Sequence, residues 1–196
     1  MRVVSGLFKG KSLFFPKDSL DEIRPTKDIT KEAVFNIMQF EIEGAIFCDI
    51  FAGTGAMGIE ALSRNAKFVV FVDSQESSIK AIKKNLDLLE VNKNTYTIVK
   101  ADASEFLSQS QKYLEGFHTL STFDFVYADP PYSSSWYKDA LKDFGACHYI
   151  NKETNIMIEM EKSQESILSK DSETLWTQKG LRKYGKSFVE IIAKNN

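Results

Sequence analysis

Between Ala45 and Met160 short apolar runs alternate with amphipathic stretches. An aspartate stands at or beside the carboxyl end of each of the first four runs. The runs are Ala45–Phe51, Lys67–Asp73, Thr95–Val99, Phe123–Ala128 and Asn155–Met160. Helical patterns fill the gaps: Met57–Arg64, Ser77–Glu90, Ala103–Glu115 and Trp136–Gly145. In Ser77–Glu90, Ile79, Ile82, Leu86 and Leu89 share one side. Continuous apolar strands joined through helices predict an α/β fold, a mainly parallel sheet covered on both faces. Thr174–Gln178 and Ser187–Ala193 follow with no helix between them, which predicts an antiparallel carboxyl-terminal edge.

The 196 residues suit one main domain, 24–196, preceded by a short appendage, 1–23. In the appendage Val3-Val4 and Leu13–Phe15 flank Gly6 and Gly10, which predicts a hairpin. Pro25 biases Arg24 to an extended conformation. Thr26 or Asp28 can cap a helix whose apolar face is Ala33, Val34, Ile37 and Met38.

Composition narrows the function. The net charge of −2 argues against a simple polyanion binder. Both ends are nonetheless basic. Residues 1–17 hold Arg2, Lys9, Lys11 and Lys17 with no acid, and Lys183 lies in a basic tail. A basic rim suits a nucleic-acid substrate; an ordinary solvated surface is the plainer reading. No membrane span or export signal is expected, and Cys48 and Cys147 form no CxxC pair, so a reduced cytoplasmic setting fits. His118 and His148 have no partner motif, so no metal site and no catalytic triad is expected.

Two motifs carry chemistry. The first is Asp49-Ile50-Phe51-Ala52-Gly53-Thr54-Gly55-Ala56-Met57-Gly58, a GxGxxG loop between a strand and a helix. Small residues there let backbone approach a nucleotide cofactor. The candidate cofactor residues are Asp49, Phe51, Ala52, Gly53, Thr54, Gly55 and Gly58. Asp73 and Ser74 follow at the second strand end, where Asp73 can accept from ribose hydroxyls. At the third, Asp102 can accept from an adenine amine and Ala103 can supply an N–H. Asp73 and Asp102 also precede helices, where a plain capping role is available.

The second motif is Asp129-Pro130-Pro131-Tyr132. Two prolines rigidify the turn and remove two N–H donors. The acceptors left are the Asp129 carboxylate and the Pro130 carbonyl. An exocyclic amine presents two N–H groups in one plane, which such a slot can take. Tyr132 can stack on an extruded base. A cofactor carrying a methyl group, combined with an amine slot, gives an N-methyltransferase.

The chain resembles the RsmD family of class I S-adenosylmethionine-dependent methyltransferases. The resemblance rests on Arg2-Val3-Val4-Ser5-Gly6, Gly10-Lys11-Ser12-Leu13, Arg24-Pro25-Thr26, Glu32-Ala33-Val34-Phe35-Asn36, Asp49–Gly58 with Glu60-Ala61-Leu62-Ser63-Arg64, and Asp129–Tyr132. It implies a seven-stranded Rossmann-like sheet with S-adenosylmethionine as cofactor. It implies action on guanine N2 of 16S ribosomal RNA or the assembling small subunit, with the base flipped into the Asp129–Tyr132 slot; a monomer is expected, though no residue speaks to it. By the same likeness Arg24, Pro25 and Thr26 border the pocket and the amino-terminal hairpin touches RNA; with the charge at both ends, the candidate RNA-facing residues are Arg2, Lys9, Lys11, Arg24 and Lys183. Lys11 and Lys31 stand where family members often carry arginine, keeping charge but losing the bidentate fork. The competing readings are a DNA adenine-N6 methyltransferase, which commonly needs an added recognition domain, and a nicotinamide-dependent oxidoreductase built on GxGxxG. The latter leaves the Asp129–Tyr132 slot unexplained.

Overall fold

In the computed structural model the described residues are 1–16, 25–117, 120–131, 135–161, 166–168, 174–185 and 187–195. The elements run α1 (Pro25–Ile37), β1 (Ile46–Ile50), α2 (Ala56–Ser63), β2 (Phe68–Asp73), α3 (Glu76–Leu88), β3 (Tyr96–Lys100), α4 (Ala103–Ser108), α5 (Ser110–Leu114), β4 (Phe125–Ala128), α6 (Ala140–Ala146), β5 (Asn155–Glu161), β6 (Trp176–Tyr184) and β7 (Ser187–Lys194). Seven strands form one sheet in the order β3-β2-β1-β4-β5-β7-β6. Strands β1 to β5 pair in parallel, while β7 is antiparallel to both β5 and β6. The antiparallel strand is therefore second from the edge, and β6 is the edge itself.

The apolar runs are continuous because the central strands are covered on both faces. On one face Ile46, Cys48, Ile50, Val70, Val126 and Ile158 pack with Phe106 and Leu107 of α4 and Phe144 of α6. On the other, Phe47, Val69, Phe71, Phe125 and Met157 pack with Phe35 of α1 and Met38 just after it, Ile59 and Leu62 of α2, and Ile82 and Leu86 of α3. Gly58 lies at the closest approach of α2 to the sheet. A Cβ there would sit 2.2 Å from Phe71 Cε1 and 2.8 Å from Val69 Cγ1.

Several boundaries differ from the sequence reading for local reasons. The expected helix 103–115 is two helices, broken at Gln109 (φ −117°, ψ 24°). Ser108 Oγ donates back to the Ser104 and Glu105 carbonyls there, an alternative to helix continuation. Helix α1 begins with Pro25 at its first position, where the missing N–H costs nothing. Strand β6 has nine residues rather than five, with a bulge between Gln178 and Gly180.

The amino-terminal segment closes on itself through a single antiparallel bridge, Arg2 to Ser12, less regular than the predicted hairpin. The Val3 and Gly10 N–H groups donate to the Lys11 and Val3 carbonyls. The segment is docked firmly. Val3 and Leu13 are buried, and the Val4 and Ser5 N–H groups donate to Glu60 Oε2 and Oε1 at 2.8 and 2.9 Å. Gly6, at φ +79°, would place a Cβ 1.7 Å from the Ser63 carbonyl oxygen, so only glycine fits.

Glu60 is wholly buried. It also pairs with Lys31 Nζ at 3.2 Å and Arg64 Nε at 3.0 Å. Lys31, a position that the resemblance associates with RNA-facing arginine, instead lies buried with its Nζ donating to the Arg2 carbonyl. Removing one member of such a buried network leaves charges and N–H groups unpaired. Glu60→Ala should therefore lower unfolding free energy by about 3–5 kcal/mol, measured by urea denaturation. A change below about 1 kcal/mol, the range of a surface pair, would contradict this account.

Candidate active site at the carboxyl edge of the sheet

Because β1 lies between β2 and β4, the strand order reverses direction at β1, and the crevice between the carboxyl ends of β1 and β4 is a switch point where α/β sheets bind ligands. Register places Ile50 beside Ala128, so the loop after β1 and the Asp129-Pro130 turn after β4 emerge side by side. Asp73 ends β2 on the other flank, beside Lys100 of β3, with Asp102 two residues beyond. Along this edge the order is thus Asp102, Asp73, glycine loop, Asp129.

Carboxylates hold the loop in shape. The Gly58 N–H donates to buried Asp49 Oδ2 at 2.8 Å, tying the first turn of α2 to β1. The Gly53 N–H donates to Asp73 Oδ2 at 2.8 Å, and the Gln75 N–H donates to Oδ1 at 2.8 Å. The Ala52 N–H reaches the Val72 carbonyl at 3.0 Å. Within the loop Phe51, Gly53 and Gly55 all have positive φ, at 61°, 56° and 79°. For Phe51 this is an uncommon, strained conformation. Its ring meets Trp136 edge-on at 5.1 Å between centroids. A Cβ on Gly53 would meet nothing nearer than the Phe51 carbonyl at 4.0 Å, so the loop presents an open, side-chain-free surface there.

The electrostatics are those of a negative site. Burial raises the Asp49 carboxyl well above the ordinary range. The Gly58 N–H opposes the shift, and the neighbouring Asp73 and Asp129 charges add to it. Burial likewise pushes up the Tyr127 phenol, with Glu159 and Asp129 adding to the effect. Behind the turn, Tyr127 donates to Glu159 Oε2. The Tyr137 hydroxyl donates to the Glu159 carbonyl at 3.0 Å and lies 3.5 Å from the Pro130 carbonyl. Pro130 is buried and Pro131 exposed.

A family model described as Conserved hypothetical protein 95 matches residues 1–193. Ribosomal RNA small subunit methyltransferase D of Haemophilus influenzae is 30% identical over 167 residues, 85% of this chain and 82% of that protein. The chain belongs to the RsmD family. The Escherichia coli protein yhhF matches its structure with a TM-score of 0.78 at 24% identity, covering 100% of this chain and 98% of that one. The protein SMU.776, solved complexed with SAH, matches with a TM-score of 0.66 at 15% identity, over 88% of this chain and 50% of that one. The fold is the Rossmann-like class I methyltransferase fold, and membership decides against the nicotinamide-dependent oxidoreductase.

Within this RsmD-family member the structure gathers Asp49, the loop 51–55, Gly58, Asp73 and Asp129-Pro130-Pro131 at one edge. Ser74 is exposed beside Asp73. Asp73 is not the cap of α3, whose cap position is Gln75. Asp102 does cap α4: its Oδ1 accepts from the Ser104 N–H at 2.9 Å and the Glu105 N–H at 3.4 Å, with Ala103 buried behind it. Arg2, Lys9 and Lys11 are exposed, but the turn bearing Lys9 rests on Ser63 at the far end of α2 from the loop. Lys183 is exposed opposite Phe188, near the β6–β7 turn, beside the carboxyl end of β5 and hence on the site edge. Arg24, Tyr132 and the side chain of Thr26 lie outside the described residues.

Sequence reasoning passed over Tyr137, Glu159 and Asn85. Asn85 carried a signal, since it is a polar residue beside Ile82 and Leu86 on the apolar side of α3. Among the described residues no cluster of three or more His, Cys, Asp or Glu could hold a metal, and no helix is long and apolar enough to cross a membrane.

The raised Asp49 carboxyl gives a pH prediction. A carboxyl whose folded-state pKa exceeds its unfolded value, about 3.9, contributes stability below that value and loses it as pH rises through the folded pKa. Asp49→Asn keeps an oxygen for the Gly58 N–H and removes the charge. The melting temperature of the variant relative to the parent should therefore climb from acid towards neutral pH and then level off. A difference independent of pH would contradict the burial cost assigned to Asp49.

Proposed function

We propose that this chain transfers a methyl group from S-adenosylmethionine to the exocyclic N2 amine of a guanine in 16S ribosomal RNA, at a guanine-966-type site. One observation carries the reading. The register of β1 against β4 brings the Asp129-Pro130 turn out beside the glycine loop, which supports reading the pair as an amine slot next to a cofactor cradle. The name of the Haemophilus relative, a small subunit rRNA methyltransferase, supports the substrate class.

The residues fit the cofactor. The open face at Gly53 admits an adenosyl moiety against backbone. Each Asp73 oxygen accepts one N–H and retains a lone pair for a ribose hydroxyl. The negative charge of Asp73 and Asp129 suits a sulfonium cation. Bound there, the cofactor supplies an electrophilic methyl group. Asp129 and the Pro130 carbonyl accept the two N–H groups of the guanine amine and leave its lone pair pointing out of the ring plane. Such an amine is a weak nucleophile because its lone pair is delocalised, so alignment supplies most of the acceleration. Positive charge grows on nitrogen as the new bond forms, and the Asp129 carboxylate stabilises it. The proton then leaves to Asp129 or to water. Tyr132 completes the slot by stacking on the flipped base.

The RNA would meet Lys183 on the site edge and extend past α2 to the amino-terminal segment, where Arg2, Lys9 and Lys11 would meet phosphates. Residues 1–23 serve as the RNA-facing appendage of the methyltransferase domain, 24–196, in a cytoplasmic, monomeric enzyme that needs no metal.

Asp73→Ala removes a charged acceptor worth about 1.5–3 kcal/mol. It should weaken S-adenosylhomocysteine binding about ten- to hundredfold, read by calorimetry. Unchanged affinity would assign Asp73 to loop geometry alone. Asp129→Ala should leave that affinity within a few fold and lower single-turnover methyl transfer to 16S rRNA by about 10² or more. Asp129→Asn, which keeps one acceptor, separates geometry from charge: partial activity favours orientation, near-total loss favours the carboxylate. Full activity of folded Asp129→Ala would sink the amine slot.

A further inference from the structure

The proposed RNA-facing segment and the proposed cofactor loop share one buried side chain. Asn85 of α3 is 1% exposed. Its Oδ1 accepts from the Phe14 N–H at 2.6 Å, and its Nδ2 donates to the Phe14 carbonyl at 3.1 Å. This mimics one rung of a β-ladder, with a side-chain amide in place of a strand. The same Nδ2 donates to the Thr54 carbonyl at 3.0 Å. Thr54 lies between Gly53 and Gly55, both at positive φ, and its peptide with Gly55 is held from both sides: the Gly55 N–H donates to the Ala52 carbonyl at 2.7 Å while the Thr54 carbonyl accepts from Asn85. One amide thus fixes a loop carbonyl and a segment backbone at once. Around this contact Lys84 Nζ lies 3.5 Å from the centre of the Phe14 ring, and Ile82 meets Gly55. An apolar residue at 85 would leave three part-buried backbone groups, the Phe14 N–H and the Phe14 and Thr54 carbonyls, without this partner.

We propose that Asn85 is a positioning residue that couples the amino-terminal segment to the cofactor loop, so that occupancy of either site orders the other. Ordering the glycine loop around a ligand fixes the Thr54 carbonyl. That fixes the Asn85 amide, and the amide then holds Phe14 and the segment leading into it. The coupling is reciprocal by thermodynamic necessity. RNA held by the segment should tighten cofactor binding by the same factor that cofactor tightens RNA binding. The inference rests on the proposed function, because it needs the loop to bind S-adenosylmethionine and the segment to meet RNA.

The test has two parts. In the parent protein, hydrogen exchange at the Phe14 amide is followed with and without saturating S-adenosylhomocysteine. Slower exchange at Phe14 on binding is expected; unchanged exchange while calorimetry shows binding would overturn the coupling and leave the proposed function standing. No binding at all would overturn the function, and this inference with it. The parent measurement decides the matter even if variants fail to fold. In the second part, S-adenosylhomocysteine affinity is measured with and without a 16S rRNA fragment. In the parent the fragment should tighten it about fivefold or more, the lower end of common coupling. In Asn85→Ala and Asn85→Ser the ratio should fall towards one while both ligands still bind singly. A ratio as large in the folded variants as in the parent would mean that Asn85 only packs.

Discussion

The site depends on two hydrogen bonds from backbone N–H groups to carboxylates: Gly58 to Asp49 and Gly53 to Asp73. The chain leaves β1 through Phe51, Gly53 and Gly55, all in left-handed conformations. Such a path persists only when its surroundings over-determine it. Asp49 fixes where α2 begins, and Asp73 fixes how far the loop leans towards β2. Burying Asp49 has an electrostatic cost, seen in its raised carboxyl. What this cost secures is a half-buried stretch of backbone between the ends of β1 and β2, free of side chains at Gly53.

A second buried network holds the other flank. Glu60 gathers Lys31 of α1, Arg64 just past α2 and the Val4 and Ser5 amides into one cluster. The acid stands on the same short helix whose first turn carries Gly58. The amino-terminal segment, α1 and the loop are therefore referred to one element, α2. A helix of eight residues, about 12 Å long, links the docking point of the segment to the glycine loop. Buried ionic groups do not by themselves imply stability. Here they fix the position of a segment that has only one bridge of regular pairing.

Most of the sheet was legible because a strand buried on both faces is apolar along nearly its whole length, as β1 and β2 are apart from Asp49 and Asp73 near their carboxyl ends. The carboxyl ends of the strands followed, and with them the shared edge of Asp73, Gly53 and Asp129, while the spatial order of the strands came from the structure. What the sequence hid were features that periodicity does not encode. Strand β6 is exposed along most of its length, so Lys179, Arg182 and Lys183 break the apolar pattern while the backbone still pairs. The break at Gln109 arises from Ser108 bonding to its own helix, which resembles helix in pattern. The burial of Lys31 was not legible, because nothing local announces a partner 29 residues away at Glu60. Asp102 kept both readings open: its cap is present, and capping with one oxygen leaves the other available to a ligand.

The central claim is that this edge delivers a methyl group to a guanine amine in 16S rRNA. Mass-spectrometric mapping of 16S rRNA from cells lacking the gene, complemented with the parent or with Asp129→Ala, tests it most directly. The account predicts one N2-methylguanosine that is absent without the gene, restored by the parent and not restored by the variant. An unchanged set of modified guanines in all three strains would contradict it.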